Sequence, residues 1–192
     1  MENNFNFEEL LEKFGNKFDN KFMEQRKVFL WGAVHDESAK QIVNRLLYLE
    51  AEDPGKEITF YINSPGGVVT SGLVIIDAMK MISSPIKTVC MGMCASMGAM
   101  LLSQGTEGKR EMWENGRVMI HQPSIGGAYG QASDLEITAT QMQRTKEILA
   151  KMLADSCNKS FDTIMIDFDR DFWLNAKEAL AYGIVDKISK KV

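Results

Sequence analysis

The sequence predicts an α/β fold with a largely parallel, buried sheet, and three observations carry that prediction. Short apolar runs recur at Val28 to Trp31, Ile58 to Asn63, Thr88 to Met91 and Arg117 to His121. The first three are each followed by a segment with helical spacing of apolar residues. Turn signals separate strand from helix, most clearly Ser64, Pro65, Gly66 and Gly67. Strand then helix, repeated, is the pattern of crossover connections between parallel strands. With 192 residues the chain falls in the size range of one compact domain. Folding hides roughly 70% of the extended surface of such a chain, so a full core needs no disulfide or metal staple.

The first 26 residues carry Phe5, Phe7, Phe14, Phe18 and Phe22, half of the ten phenylalanines, the last three spaced four apart. Such a stripe either covers the protein's own core or serves as a partner-docking arm, the first being the simpler reading. After the strand at Val28 to Trp31, Asp36 is expected to cap a helix whose apolar face is Ile42, Val43, Leu46, Leu47 and Leu49. The second strand ends at the Ser64 to Gly67 turn, and Val68 to Ile82 reads as a helix. The third strand leads through a turn at Ser96 into a helix reaching Leu102. Ser124 to Gly130 contains Gly126, Gly127 and Gly130 and leads into a long helix from about Ala132 to Cys157. That helix is rich in polar residues (Asp134, Glu136, Gln141, Gln143, Arg144), so it is either exposed or reserved for contact with another chain. Ser160 and Asn175 begin two further helices, the second with the capping pair Asn175 and Glu178 and a stop at Gly183.

Composition narrows the function. Lys plus Arg is 22 and Asp plus Glu is 26, for a net charge of −4. The charges are interspersed, which argues against nucleic acid and anionic membrane as partners. From Thr88 to Thr106 no residue is charged, yet Gly92, Gly98 and Gly105 beside Ser96, Ser103 and Gln104 read as buried strand, turn and buried helix rather than a membrane span. Three cysteines, Cys90, Cys94 and Cys157, form no disulfide framework and suit a reducing compartment, so the expected location is cytoplasmic. Cys90 and Cys94 have no neighbouring histidine, and no metal site is expected. Met1 to Phe22 has neither the basic start nor the apolar run of an export signal.

Ser96 stands in the run Gly92, Met93, Cys94, Ala95, Ser96, Met97, Gly98, at a strand-to-helix turn where the small neighbours Ala95 and Gly98 leave room for a substrate carbonyl. A helix start offers unpaired N–H groups to a developing oxyanion. A serine there more commonly caps the helix. The local pattern is not the Gly-x-Ser-x-Gly elbow, since Cys94 occupies the first glycine position. A serine nucleophile needs a base, and the chain has two histidines, His35 and His121. His121 is followed by Gln122, Pro123 and the glycine-rich segment, where substrate has room. The carboxylate that would orient the imidazole cannot be chosen by spacing. The Ser64 to Gly67 turn lacks the Lys-Ser or Lys-Thr of a P-loop, so nucleotide binding is not expected.

Five stretches, Tyr61-Ile-Asn-Ser-Pro-Gly-Gly-Val68, Cys90-Met-Gly-Met-Cys-Ala-Ser-Met-Gly-Ala99, Arg117-Val-Met-Ile-His-Gln-Pro123, Gly130-Gln-Ala-Ser-Asp-Leu-Glu136, and Arg170-Asp171 leading to Glu178-Ala-Leu-Ala-Tyr-Gly-Ile-Val-Asp186, resemble the ClpP family, the proteolytic subunits of ATP-dependent Clp proteases. They run in matching order from about Arg26 to the C-terminus. The resemblance implies a ClpP/crotonase-like fold of β-β-α or β-α units with a protruding handle helix. Residues 26–192 would be the protease domain, with the handle at about 122–158, and residues 1–25 an N-terminal axial or docking segment that departs from the family's usual one. It implies a serine endopeptidase with Ser96 as nucleophile, His121 as base and Asp171 orienting the imidazole. The backbone of Gly67 and Met97 would form the oxyanion hole. Val68 and Val69 on one side and Ser124 and Ile125 on the other would flank an extended peptide. The implied partners are further copies of the chain, in heptameric rings stacked as a tetradecamer, a hexameric AAA+ ATPase and unfolded polypeptide substrates. ATP belongs to the ATPase, and this subunit would need no cofactor. Thr59 and Met81 stand where family members often carry aromatics of the ATPase docking pocket, whereas Tyr61 is retained. Two alternatives are a non-catalytic ring subunit, which loss of a triad residue would mark, and a crotonase-fold acyl-CoA enzyme, in which Ser96 and His121 have no joint role.

Overall fold

The computed structural model describes residues 18–127 and 129–190. Seven strands form one sheet: β1 (Lys27–Trp31), β2 (Ile58–Ser64), β3 (Ile86–Ala95), β4 (Arg110–Trp113), β5 (Arg117–Ile120), β6 (Phe172–Asn175) and β7 (Lys187–Ser189). Six helices lie between or after them: α1 (Asp36–Glu52), α2 (Val69–Met81), α3 (Met97–Ser103), α4 (Ala132–Cys157), α5 (Phe161–Asp167) and α6 (Ala176–Tyr182). The strand order is β1-β2-β3-β4-β7, all parallel. β3 is shared along its length. Thr88 to Cys90 pair with β4 and Met93 to Ala95 pair with β5, and β6 joins β5 as the single antiparallel strand among the described residues. The expected α/β class with a mostly parallel sheet is therefore present.

Alternation along the strands decides where the core sits. In β2 the residues Ile58, Phe60 and Ile62 are buried while Thr59, Tyr61 and Asn63 are partly open. The buried set joins Val28 and Leu30 of β1, Cys90 of β3, and Ile42, Leu46, Ile75 and Leu101 of the helices in one cluster. The other face of the sheet carries Phe29 and Tyr61, whose rings stack at 5.0 Å, beside an exposed Trp31. Parallel sheets normally have both faces covered, and among the described residues Phe22 meets this face through a ring contact with Phe29 at 4.8 Å. Phe18 and Phe22 therefore do not enter the core, contrary to the simpler reading of the aromatic stripe; Phe5, Phe7 and Phe14 lie outside the described residues.

Several local expectations change. The N-cap of α1 is His35, not Asp36: its Nδ1 accepts from the Ser38 amide, and the Ser38 hydroxyl accepts from the His35 amide, a reciprocal capping box. Asp36 is the first helical residue and accepts from the Ser71 hydroxyl. Strands β4, β6 and β7, with three or four residues each and charged or polar members such as Arg110, Glu111 and Lys187, carry too little apolar pattern to be read from sequence. β3 runs to Ala95 rather than Met91 because its last residues gain β5 as a neighbour. Helix α4 matches its expected bounds, and its buried residues, Leu149, Ala150, Leu153, Ala154 and Cys157, all lie in the last third. The first two thirds project as a handle. No helix among the described residues is long and apolar enough to cross a membrane.

Candidate active site

Ser96 sits between the last residue of β3 and the first of α3 with φ 54° and ψ −122°, a conformation that costs a non-glycine residue on the order of 1–3 kcal/mol. Strain of this kind persists only where neighbours hold it. The Ser96 amide donates to the Met119 carbonyl of β5 at 2.8 Å, which pins the turn to the adjacent strand. Its hydroxyl makes no capping bond to α3. Instead Oγ lies 2.9 Å from Nε2 of His121, so the common role of a serine at a helix start does not apply here.

His121 follows directly on β5. Its Nδ1 is 3.2 Å from Oδ1 of Asp171, which directly precedes β6. The antiparallel register pairs Ile120 with Phe172, and one more step along it sets His121 opposite Asp171. The side chain of His121 is 24% exposed and that of Asp171 is 61% exposed. His35, the other candidate base, spends its Nδ1 on the α1 cap. The structure thus brings three of the expected residues, Ser96, His121 and Asp171, into one chain of close polar contacts. Spacing could not have found Asp171, because the β5–β6 pairing that selects it is a long-range contact; the family resemblance of the Arg170-Asp171 stretch was the signal that pointed to it.

The turn after β2 stands against this chain. Ser64 Oγ accepts from the Gly66 amide at 3.0 Å and tightens the turn. Gly66 has φ 91°, and a Cβ there would lie 2.6 Å from the Ser96 Cβ and 2.8 Å from the Met97 nitrogen. Only glycine allows so close an approach. Val34 accepts and donates on either side of Gly67: the Val34 amide bonds the Gly66 carbonyl at 2.8 Å, and the Val68 amide bonds the Val34 carbonyl at 2.8 Å. In that parallel bridge the N–H and C=O of Gly67 itself point away from Val34. Val68 and Ile125 are each 49% exposed, Ser124 is exposed and Val69 is partly buried. A cavity of about 450 Å³ opens beside the histidine, lined by His121, Gln122, Pro123, Ser124, Asp169, Arg170 and Asp171.

The nearby thiols do not compete with the hydroxyl. Cys94 is fully buried, its Sγ directed to the Ile62 carbonyl at 3.4 Å. Burial, with Cys90 adjacent, holds its pKa well above the usual thiol range. Burial likewise pushes Cys157 up to about 11. Neither forms thiolate readily near neutral pH. Among the described residues, no three His, Cys, Asp or Glu side chains are grouped as metal ligands.

A Ser–His–Asp chain on a strained strand-to-helix turn is found on unrelated folds, so geometry alone does not assign a family. Residues 12–192 match a family model described as Clp protease. The ATP-dependent Clp protease proteolytic subunit of Bacteroides thetaiotaomicron is 50% identical over 169 residues, a stretch that covers 88% of this chain and 76% of that protein. The match spans the serine after β3, the histidine after β5 and the aspartate before β6 in one continuous region, and on it the chain belongs to the Clp protease family.

Proposed function

We propose that this chain is the proteolytic subunit of an ATP-dependent Clp protease and hydrolyses peptide bonds as a serine endopeptidase. The observation that carries the reading is the continuous contact from Ser96 Oγ through His121 to Asp171, at 2.9 and 3.2 Å. Ser96 Oγ attacks the scissile carbonyl carbon while His121 Nε2 takes the hydroxyl proton. Asp171 keeps Nδ1 protonated and offsets the charge of the imidazolium. The tetrahedral oxyanion is received by the amides of Gly67 and Met97, the first freed by the direction of the Val34 bridge and the second by its place at the first turn of α3. His121 returns its proton to the leaving amine, leaving an acyl-serine. Water, deprotonated by the same histidine, releases the acid and restores the hydroxyl.

The open edge of Gly67, with Val68 and Val69 behind it, and the segment at Ser124 and Ile125 suit a substrate bound as an added strand, recognised mainly through its backbone. Such a mode favours unfolded polypeptide. The projecting part of α4 and the sheet face bearing Phe29, the exposed Trp31 and Tyr61 are surfaces that assembly with further copies would cover, as stacked heptameric rings require. A hexameric AAA+ ATPase supplies unfolded chains and consumes the ATP, and this subunit works without a cofactor. Three buried, unpaired cysteines suit work in the cytoplasm. The retention and alignment of all three triad members favour an active subunit over a scaffold. The test is a fluorophosphonate probe followed by mapping of the modified residue: labelling at Ser96 is expected, and an unlabelled protein that cleaves no peptide would overturn the reading.

A further inference from the structure

The turn that carries Asp171 is tied by hydrogen bonds to Gln122, the neighbour of His121. Asp171 lies at the end of a short turn, Phe168 to Asp171, between α5 and β6, and its side chain is largely open to solvent. At the α5 end that turn is anchored by Phe168, which is buried. Toward β5 it is held by Gln122, the residue next to His121. The Gln122 amide donates to the Phe168 carbonyl at 2.6 Å. Its side-chain Nε2 donates to the Asp169 carbonyl at 2.8 Å and to Asp169 Oδ1 at 3.1 Å. Both side-chain acceptors are oxygens that cannot donate, one a carbonyl and one a carboxylate, so chemistry fixes which end of the Gln122 amide faces them. Asp169 is further held by Arg170 at 3.6 Å and by Lys146 of α4 at 3.9 Å.

We propose that Gln122 is a positioning residue for the triad: its side-chain amide locks the Phe168 to Asp171 turn to the strand that carries His121, and so sets the approach of the Asp171 carboxylate to the imidazole. His121 and Gln122 are covalent neighbours, and Asp169 and Asp171 are two residues apart. The clamp therefore spans the same two segments as the His121–Asp171 contact and closes a small ring around it. The contact itself is 3.2 Å and exposed, which makes it sensitive to drift of the turn. Gln122 does not touch the reacting atoms. Its effect passes through the orientation of the histidine.

The inference rests on the triad reading above, and the experiment separates the two. Gln122→Ala, Gln122→Glu and Gln122→Asn are compared with the parent in the assembled protein, using a short fluorogenic peptide and the rate of fluorophosphonate labelling at Ser96. Glutamate has the size of glutamine but lacks the N–H donor and sets a negative charge against Asp169; asparagine keeps the donor. The expected result is a fall in kcat of about ten- to a hundredfold for Ala and Glu, with KM within about twofold and labelling slowed in parallel. Asn is expected to keep more activity than Glu. Particle mass by sedimentation should match the parent. A Gln122→Glu variant as active as the parent, or an effect confined to KM, would overturn the proposal. If Gln122→Ala fails to assemble, the Glu and Asn variants decide, and equal activity in those two overturns it. Failure of the triad reading looks different, because the parent itself would then show no labelling at Ser96.

Discussion

His121 and Asp171 oppose each other one step beyond the last pair of the β5–β6 ladder, so the distance between imidazole and carboxylate is a consequence of strand register. A slip of one residue would turn the two side chains to opposite faces. The aspartate is thereby selected from 26 acidic residues by pairing alone.

Ser96→Ala is expected to abolish peptide cleavage and leave assembly intact, since it removes one atom from a turn held by its backbone amide. Loss of the nucleophile costs about a millionfold in a well-studied serine protease. Peptide assays and sedimentation on the same preparation check both halves, and comparable cleavage by mutant and parent would refute the serine mechanism.

His121→Ala should lose activity to a similar extent, whereas His35→Ala should keep it. The His35 change removes an N-cap and should lower stability by about 1 kcal/mol, seen as a lower midpoint in urea. An active His121→Ala protein would exclude this base.

Gly66→Ala should inactivate the protein. A methyl group there meets Ser96, the Ala95 carbonyl and the Met97 nitrogen, all under 3.0 Å, on a backbone with φ 91°. Displacement of the turn by about 1 Å can cost a hundredfold in rate, and overpacking costs about 1–3 kcal/mol in stability. Kinetics alongside denaturant unfolding would show both; an unchanged kcat would mean that the turn does not support Ser96.

Asp186→Asn should destabilise the fold in a pH-dependent way. Arg110, buried in β4, donates Nε to Asp186 at 2.9 Å, pairs through a second guanidinium nitrogen, and also reaches the Ser156 carbonyl at 2.7 Å. Burial alone would raise the Asp186 pKa, but the hydrogen bonds and charge of Arg110 outweigh it and hold the carboxyl below its ordinary range. A depressed folded-state pKa contributes stability that is fully present above the unfolded value, about 3.9, and lost as pH falls through the folded value. The substitution should cost about 2–3 kcal/mol at pH 7, below the figure for a fully buried pair because the Asp186 side chain keeps 19% of its exposure. The difference between mutant and parent should narrow below pH 4 in urea titrations. A gap that is constant with pH would show that ionisation of Asp186 contributes nothing.

Local physical rules were enough for much of the chain. Ser160 and Asn175 cap α5 and α6, Gly183 closes α6 in a left-handed conformation, and α4 spans the stretch from Ala132 to Cys157, because capping and periodicity are decided by residues a few positions apart. The same reasoning exposed Ser96 and narrowed the base to two histidines, and the five motif stretches pointed to a family. Tertiary structure decided the rest. Strands β4, β6 and β7 formed because neighbouring strands were there to pair with them. Ser96 lost its capping role because β5 brought His121 within 2.9 Å, and Asp171 gained its place because β6 returned antiparallel beside β5. Each of these contacts joins residues far apart in the chain, and the free energy that selects among such pairings comes from burying the whole sheet against its helices, a quantity no short segment contains.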